Sequence, residues 1–207
     1  MSEPKGDYAR ELDRFLDRNG LKEKSNPIRL YHLVRNVPYS SRGDRHPQAV
    51  LEKNEGSCSG KHILLRDLLR HTGQKAEIET VQGDFAAGVP PLESMSDELR
   101  HFCNVGGVKD FHHYVVWQTS EGECKLDATW PDGPIAMGVP GNADWDGDGD
   151  TRLALTPKKI LNREEDIPAY KEQLLAGLTE EEKTYRLEFL ALLTDWVSAI
   201  DCGGATK

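Results

Sequence analysis

Apolar positions along the chain follow a helical period up to Gly73 and a period of two just beyond it. In "YARELDRFLDR", residues 8–18, Leu12, Phe15 and Leu16 share one helical face, and Asn19-Gly20 supplies the stop. A second helix is predicted over 26–37, "NPIRLYHLVRNV", where Ile28, Tyr31 and Leu33-Val34 recur at helical spacing behind a first-turn proline. "PYSSRGDRHP" reads as loop and "PQAVLEKN" as a short helix. In "GKHILLRDLLRHTG", residues 60–73, Leu64, Leu65, Leu68 and Leu69 stand at i, i+1, i+4 and i+5, which specifies a buried helix closed by Gly73, with Cys58 at its N-terminal edge.

Past Gly73, "KAEIETVQG" sets Ala76, Ile78 and Thr80 against Lys75, Glu77 and Glu79, the alternation of a half-buried strand. "DFHHYVVWQT" (110–119) and "CKLDATW" (124–130) read as two more strands, joined through "SEGE" as an antiparallel hairpin. Between the first strand and the hairpin lies a Gly/Pro-rich stretch of about 25 residues, long enough for a lid or binding loop. Another Gly/Pro/Asp-rich loop follows Trp130, then a helical tail whose last helix, "TEEEKTYRLEFLALLTDWVSAI", opens on a Thr cap and a Glu-rich first turn.

Composition narrows the classes. At 207 residues the chain is long enough to bury a core without staples, and 37% apolar with 29% charged residues is a soluble composition. No apolar run approaches the ~18 residues of a membrane span. The polar, acidic start carries no basic and apolar leader, so a cytoplasmic protein with no membrane partner is expected. A net charge of -9 with no dominant Lys/Arg cluster argues against nucleic acid as a partner. Cys58, Cys103, Cys124 and Cys202 form no CxxC pair, which leaves reduced thiols rather than a zinc ribbon or a thioredoxin-type motif.

Chemistry concentrates around Cys58. A helix N-terminus favours a thiolate, because unpaired N–H groups and the positive dipole end stabilise negative charge. Small neighbours, Gly56, Ser57, Ser59 and Gly60, leave room for a carbonyl to approach, and the Cys58 N–H could donate to a developing oxyanion. Such a nucleophile needs a base and an acceptor to orient that base. The hairpin offers His112 or His113 and, on the partner strand, Asp127; the two histidines point to opposite faces, so only one can serve. Inert packing of Cys58 stands as the plainer alternative.

The segment "EGSCSGKHILLRDLLRHTGQKAEI" resembles the nucleophile helix of the transglutaminase-like superfamily, and "HHYVVWQTSEGECKLDATW" resembles its His and Asp strands, in the family's order. The resemblance covers about residues 28–157. It implies a papain-like α+β fold, with the nucleophile helix packed on an antiparallel sheet. Around this core, residues 28–157, it leaves an N-terminal helical segment (1–27) and a C-terminal helical extension (158–207). It implies a Cys58-His112-Asp127 triad, because the His-x-aromatic pattern fits His112 with Tyr114 better than His113 with Val115. No cofactor is implied. The reaction implied is acyl transfer from a peptide, protein or small amide or ester through a Cys58 thioester, to water or an amine. A catalytically idle peptide-binding or scaffold domain is the alternative. The sequence departs from the pattern at His62, where a small residue is usual, at "YVV", and at Glu123-Cys124, where a Trp is usual.

Other positions carry weaker expectations. His62 lies four residues after Cys58, on its helical face, which allows a metal site with Cys58 and a hairpin histidine, though no ligand spacing marks one. In "DWDGDGDTRLAL", Asp144, Asp146 and Asp148 occupy calcium-loop positions, but Leu155 stands where a bidentate Glu is needed, so an acidic loop through Asp150 is expected. "N-x-x-WDG" also resembles a cleft-rim extension of some superfamily members, which makes Trp130 and Trp145 candidates for substrate contact, packing being the alternative. Tyr39 and Gln48 are candidates for a second oxyanion donor.

Overall fold

A computed structural model describes residues 6–21 and 26–203, excluding the side chains of 201–203, so the Cys202 side chain lies outside the described residues. The expected elements form. Helices α1 (Asp7–Arg18), α2 (Pro27–Arg35) and α3 (Pro47–Lys53) precede α4 (Cys58–His71). Strands β1 (Lys75–Asp84), β2 (Lys109–Gln118) and β3 (Glu123–Leu126) follow, with a hairpin turn closed by Thr119 N–H donating to Gly122 O at 2.8 Å. Asn54 ends α3 in the left-handed conformation (φ 53°) that asparagine tolerates, turning the chain directly toward Cys58.

The four-stranded sheet has the order β3-β2-β1-β4, every neighbouring pair antiparallel, so the molecule is an α+β protein. Helix α4 is buried from Cys58 to Leu69. It packs on β1 and β2 beneath α1, α2 and α3, around a core that includes Leu12, Leu30, Leu65 and Val115. A second core on the opposite sheet face joins Val81, Tyr114 and Val116 to α5 (Asp97–Val105) and α8 (Glu180–Gly203) through Phe102, Phe189 and Leu193. Among the described residues no helix is long and apolar enough to cross a membrane.

Three expectations change. The stretch between β1 and β2 is not an open lid: α5 buries Leu99, Phe102 and Cys103 there, a periodic face hidden by the surrounding Gly and Pro. The last strand, β4 (Thr156–Arg163), interrupts the expected helical tail; its lysines and proline mark an exposed edge rather than an alternating face. Strand β3 also stops at Leu126 instead of running to Trp130. Beyond it, residues 127–132 turn their peptides toward side chains of α2 and α4. Tyr31 Oη donates to Asp127 O at 3.3 Å, Ala128 N–H to His62 Nε2 at 2.7 Å, and Lys61 Nζ to Thr129 O at 2.8 Å. Arg35 Nη1 donates to Trp130 O at 3.1 Å, and Asp132 N–H to Asn36 Oδ1 at 3.1 Å.

Lys61 is the fully buried centre of this clamp. Its ammonium also donates to Arg35 O at 2.9 Å and Val37 O at 2.7 Å, at the carbonyl end of α2 where the helix dipole favours a cation. Replacing Lys61 with Met should destabilise the fold by about 2–4 kcal/mol, read from the urea midpoint, because it removes charge-assisted bonds and strands buried carbonyls. Wild-type stability in that variant would contradict the clamp.

Candidate active site

Cys58 sits where α4 begins. Ser57 is extended (φ -71°, ψ 165°) and caps the helix, its Oγ accepting from Gly60 N–H at 3.4 Å. The Cys58 N–H falls in the first turn, where backbone donors have no intrahelical partner. A Cβ at Gly56 or Gly60 would lie 2.8 or 2.9 Å from Val50 Cγ2. The two glycines therefore admit α3 rather than a substrate, whereas Ser57 and Ser59 do line the cavity beside the sulfur.

The sheet delivers His112 and Asp127. Asp127 follows β3, and its Oδ2 accepts from His112 Nε2 at 2.6 Å. The same carboxylate accepts Ala154 N–H at 2.7 Å on Oδ2 and Thr129 N–H at 3.0 Å on Oδ1. Its own N–H donates to Thr151 Oγ1 at 2.6 Å. Gly88 lets the chain that supplies Ala154 come close, since a Cβ there would stand 2.4 Å from Ala154 O. With Nε2 committed to Asp127, Nδ1 of His112, buried and without a hydrogen-bond partner among the described residues, is the nitrogen available to Cys58.

Electrostatics follow from this packing. Burial pushes the Cys58 thiol up, but the adjacent His112 imidazole more than offsets it, and the thiol lies below its ordinary range. Burial disfavours a charged His112; the Asp127 carboxylate, with a contribution from Cys58, nevertheless raises it to about 10. Burial also opposes ionisation of Asp127, yet His112 holds its carboxyl well below the usual carboxylate range. The shifts pair an imidazolium with the Asp127 carboxylate and move the Cys58 thiol toward its ionised form.

His113 points to the other sheet face, where its Nδ1 pairs with Thr80 Oγ1 at 2.9 Å, and burial drives it well below the ordinary histidine range. His62 stands edge-on to His112, with ring centroids 5.5 Å apart. Its Nε2 lies 3.3 Å from Asp127 Oδ1, an ion pair only if His62 is protonated. The Ala128 N–H on that same Nε2 uses the lone pair, and burial lowers the pKa, so His62 is neutral and positions the turn after Asp127. His62, His112 and Asp127 are close enough to share a metal ion, a set that omits Cys58. Their facing atoms are already joined to one another and to backbone N–H groups, a poor fit for a cation.

The two tryptophans do not reach the cavity. Trp130 packs on Tyr39 and Phe85, and Trp145 on Tyr31, its Nε1 donating to Asp148 O and Gly149 O. In the same acidic loop, Asp150 Oδ1 accepts from Lys125 N–H at 2.8 Å. Tyr39 lines the cavity with Cys58, whereas Gln48 lines a different hollow beside α1.

Sequence reasoning missed the cavity's other wall. Asp110 accepts from Lys171 Nζ at 2.7 Å, and from Arg186 Nε at 2.9 Å and Nη2 at 3.2 Å; all three residues are buried and line the cavity. Asp110 was visible in principle, two residues before His112 and so on the same strand face. Lys171, on α7 (Ile167–Ala176), and Arg186 on α8 carried no local signal.

No protein-family model matches the chain, and no curated protein matches its sequence.

The His112-Asp127 pair makes stability depend on pH. His112 is raised above its ordinary value of ~6.5, so its contribution is complete below that pH and is lost as pH rises toward 10. Asp127 is depressed, so its contribution is complete above ~3.9 and is lost as pH falls. In a Cys58→Ser background, which removes the thiol's own titration, the stability lost on Asp127→Asn should be greatest between these values and shrink on either side. A loss that grows from neutral pH toward pH ~10 would contradict the pairing.

Proposed function

We propose that this chain is a cysteine-dependent acyl-transfer enzyme of the transglutaminase-like type, built on a papain-like arrangement. The observation that carries this reading is the commitment of His112 Nε2 to Asp127 at 2.6 Å, with Nδ1 left to a cavity-lining thiol whose pKa is lowered. Motif order, Cys58 on a helix followed by His112 and Asp127 on a hairpin, supports it independently.

In the proposed reaction the Cys58 thiolate attacks the carbonyl carbon of a peptide, protein or small amide or ester. The carbonyl π electrons move to oxygen, where the Cys58 N–H at the start of α4 stabilises the charge. Collapse of this intermediate breaks the bond to the leaving group, which takes its proton from His112 Nδ1, and a thioester remains. Asp127 holds the imidazole throughout and stabilises its charged form. Water, or an amine, then gives a proton back to His112 and attacks the thioester, releasing the acyl product and restoring the thiolate. Hydrolysis is the favoured outcome. We place the reaction in the cytoplasm; Cys58, Cys103 and Cys124 are free thiols.

Exposure to 4-nitrophenyl acetate should add one acetyl group by intact mass, located on Cys58 and absent from Cys58→Ala. Iodoacetamide near neutral pH should modify Cys58 at least about tenfold faster than Cys103 or Cys124, whose thiols burial pushes up to about 11. His112→Ala should abolish that difference. A Cys58 that neither acylates nor outpaces the other thiols would leave an idle binding domain.

A further inference from the structure

The cavity beside Cys58 is cationic in a protein whose net charge is -9. Its volume is about 250 Å³, and Arg42, Arg45, Lys171 and Arg186 all line it. Asp110 is the one carboxylate among the lining residues, and it is fully used: it accepts from Lys171, from Arg186 twice, and from Phe111 N–H at 2.7 Å. On this wall two basic side chains, Lys171 and Arg186, face the single carboxylate of Asp110, and Arg45 adds a third base with no carboxylate paired to it among the described residues. Arg42 is committed elsewhere, to Asp195 at 2.5 Å.

Donors remain unspent. Arg186 is 7% exposed, with Nε and Nη2 on Asp110 and, among the described residues, no bond from Nη1. The half-buried Arg45 has no ion pair or side-chain hydrogen bond among the described residues, and the Tyr39 hydroxyl has no partner among them either. Guanidinium groups gathered in a pocket are the usual means of gripping a carboxylate, often by paired N–H donors. Leu187, Leu190 and Ala191 of α8 supply an apolar flank. An apolar flank beside convergent cations suits a short aliphatic stem that ends in an anion, and the volume is below the ~300–1,000 Å³ of pockets for larger ligands.

We propose that this cavity binds a carboxylate carried on a short aliphatic chain, so that the acyl donor for Cys58 is an acidic one, held by Arg45 and Arg186. The proposal rests on the acyl-transfer reading for its substrate and adds the chemical class. Arg186 also anchors Asp110, so Arg45, which carries no structural bond among the described residues, is the residue to change.

Iodoacetate and iodoacetamide differ by little more than a negative charge, and both alkylate thiolates. The ratio of their rates at Cys58, divided by the same ratio for glutathione, should be about tenfold or more in favour of iodoacetate, the size expected for a charge-assisted contact. Arg45→Gln should cut that ratio several-fold, and glutarate should protect Cys58 from iodoacetamide where neutral glutaramide does not. A high ratio that survives Arg45→Gln would leave the attraction to His112 or Arg186 without Arg45 and overturn the proposed two-arginine grip, as would a ratio near that of glutathione. In both cases fast labelling of Cys58 by iodoacetamide would leave the nucleophile intact. Slow labelling by both reagents would remove the nucleophile and the acidic acyl donor together.

Discussion

The site depends on one buried carboxylate. Asp127 accepts from His112, from Ala154 N–H and from Thr129 N–H, and its own peptide N–H is bound by Thr151. A buried anion is tolerated only when its oxygens are satisfied, and each of these donors comes from a different stretch of chain. The carboxylate thereby fixes the orientation of His112, the turn after β3 and the loop leading into β4. Displacing any of them would leave charge uncompensated where water does not reach. The same low-dielectric setting strengthens the attraction between the His112 imidazolium and the Asp127 carboxylate.

Helices α2 and α4 hold the other side of that turn. Successive peptides from Asp127 to Asp132 are gripped by Tyr31, His62, Lys61, Arg35 and Asn36. Because Lys61 and His62 lie three and four residues beyond Cys58, one helix carries both that thiol and the groups that fix the carboxylate turn. The relative position of sulfur and imidazole is therefore set by rigid elements rather than loops, as the proposed nucleophile and base would require.

Much of this was legible in the sequence. The leucine spacing of α4, the alternation in β1 and the turn between β2 and β3 are local signals, and the order Cys58, His112, Asp127 pointed to chemistry the geometry now groups. What was not legible depends on pairing across the chain. Lys61 reads as an ordinary surface lysine between Gly60 and His62, and only the carbonyl end of α2 explains its burial. The early end of β3 is invisible for the same reason, since "CKLDATW" reads as one strand while its last residues, from Asp127 on, bond to helices. Trp130 and Trp145 were candidates for substrate contact through the resemblance of "N-x-x-WDG" to a cleft-rim extension; both are buried in packing contacts, the alternative the sequence also allowed. Asp110, Lys171 and Arg186 are drawn together from β2, α7 and α8, and no spacing along one element could have joined them.

The central claim is that His112 is a buried imidazolium poised between Asp127 and the Cys58 thiolate. Nitrogen-15 NMR of histidine-labelled protein reads this directly. His112 should show two protonated ring nitrogens at pH 8 and lose its proton only as pH approaches about 10. Replacing Asp127 with Asn should bring that transition down. A neutral His112 ring at pH 8, titrating near the ordinary ~6.5, would contradict the account.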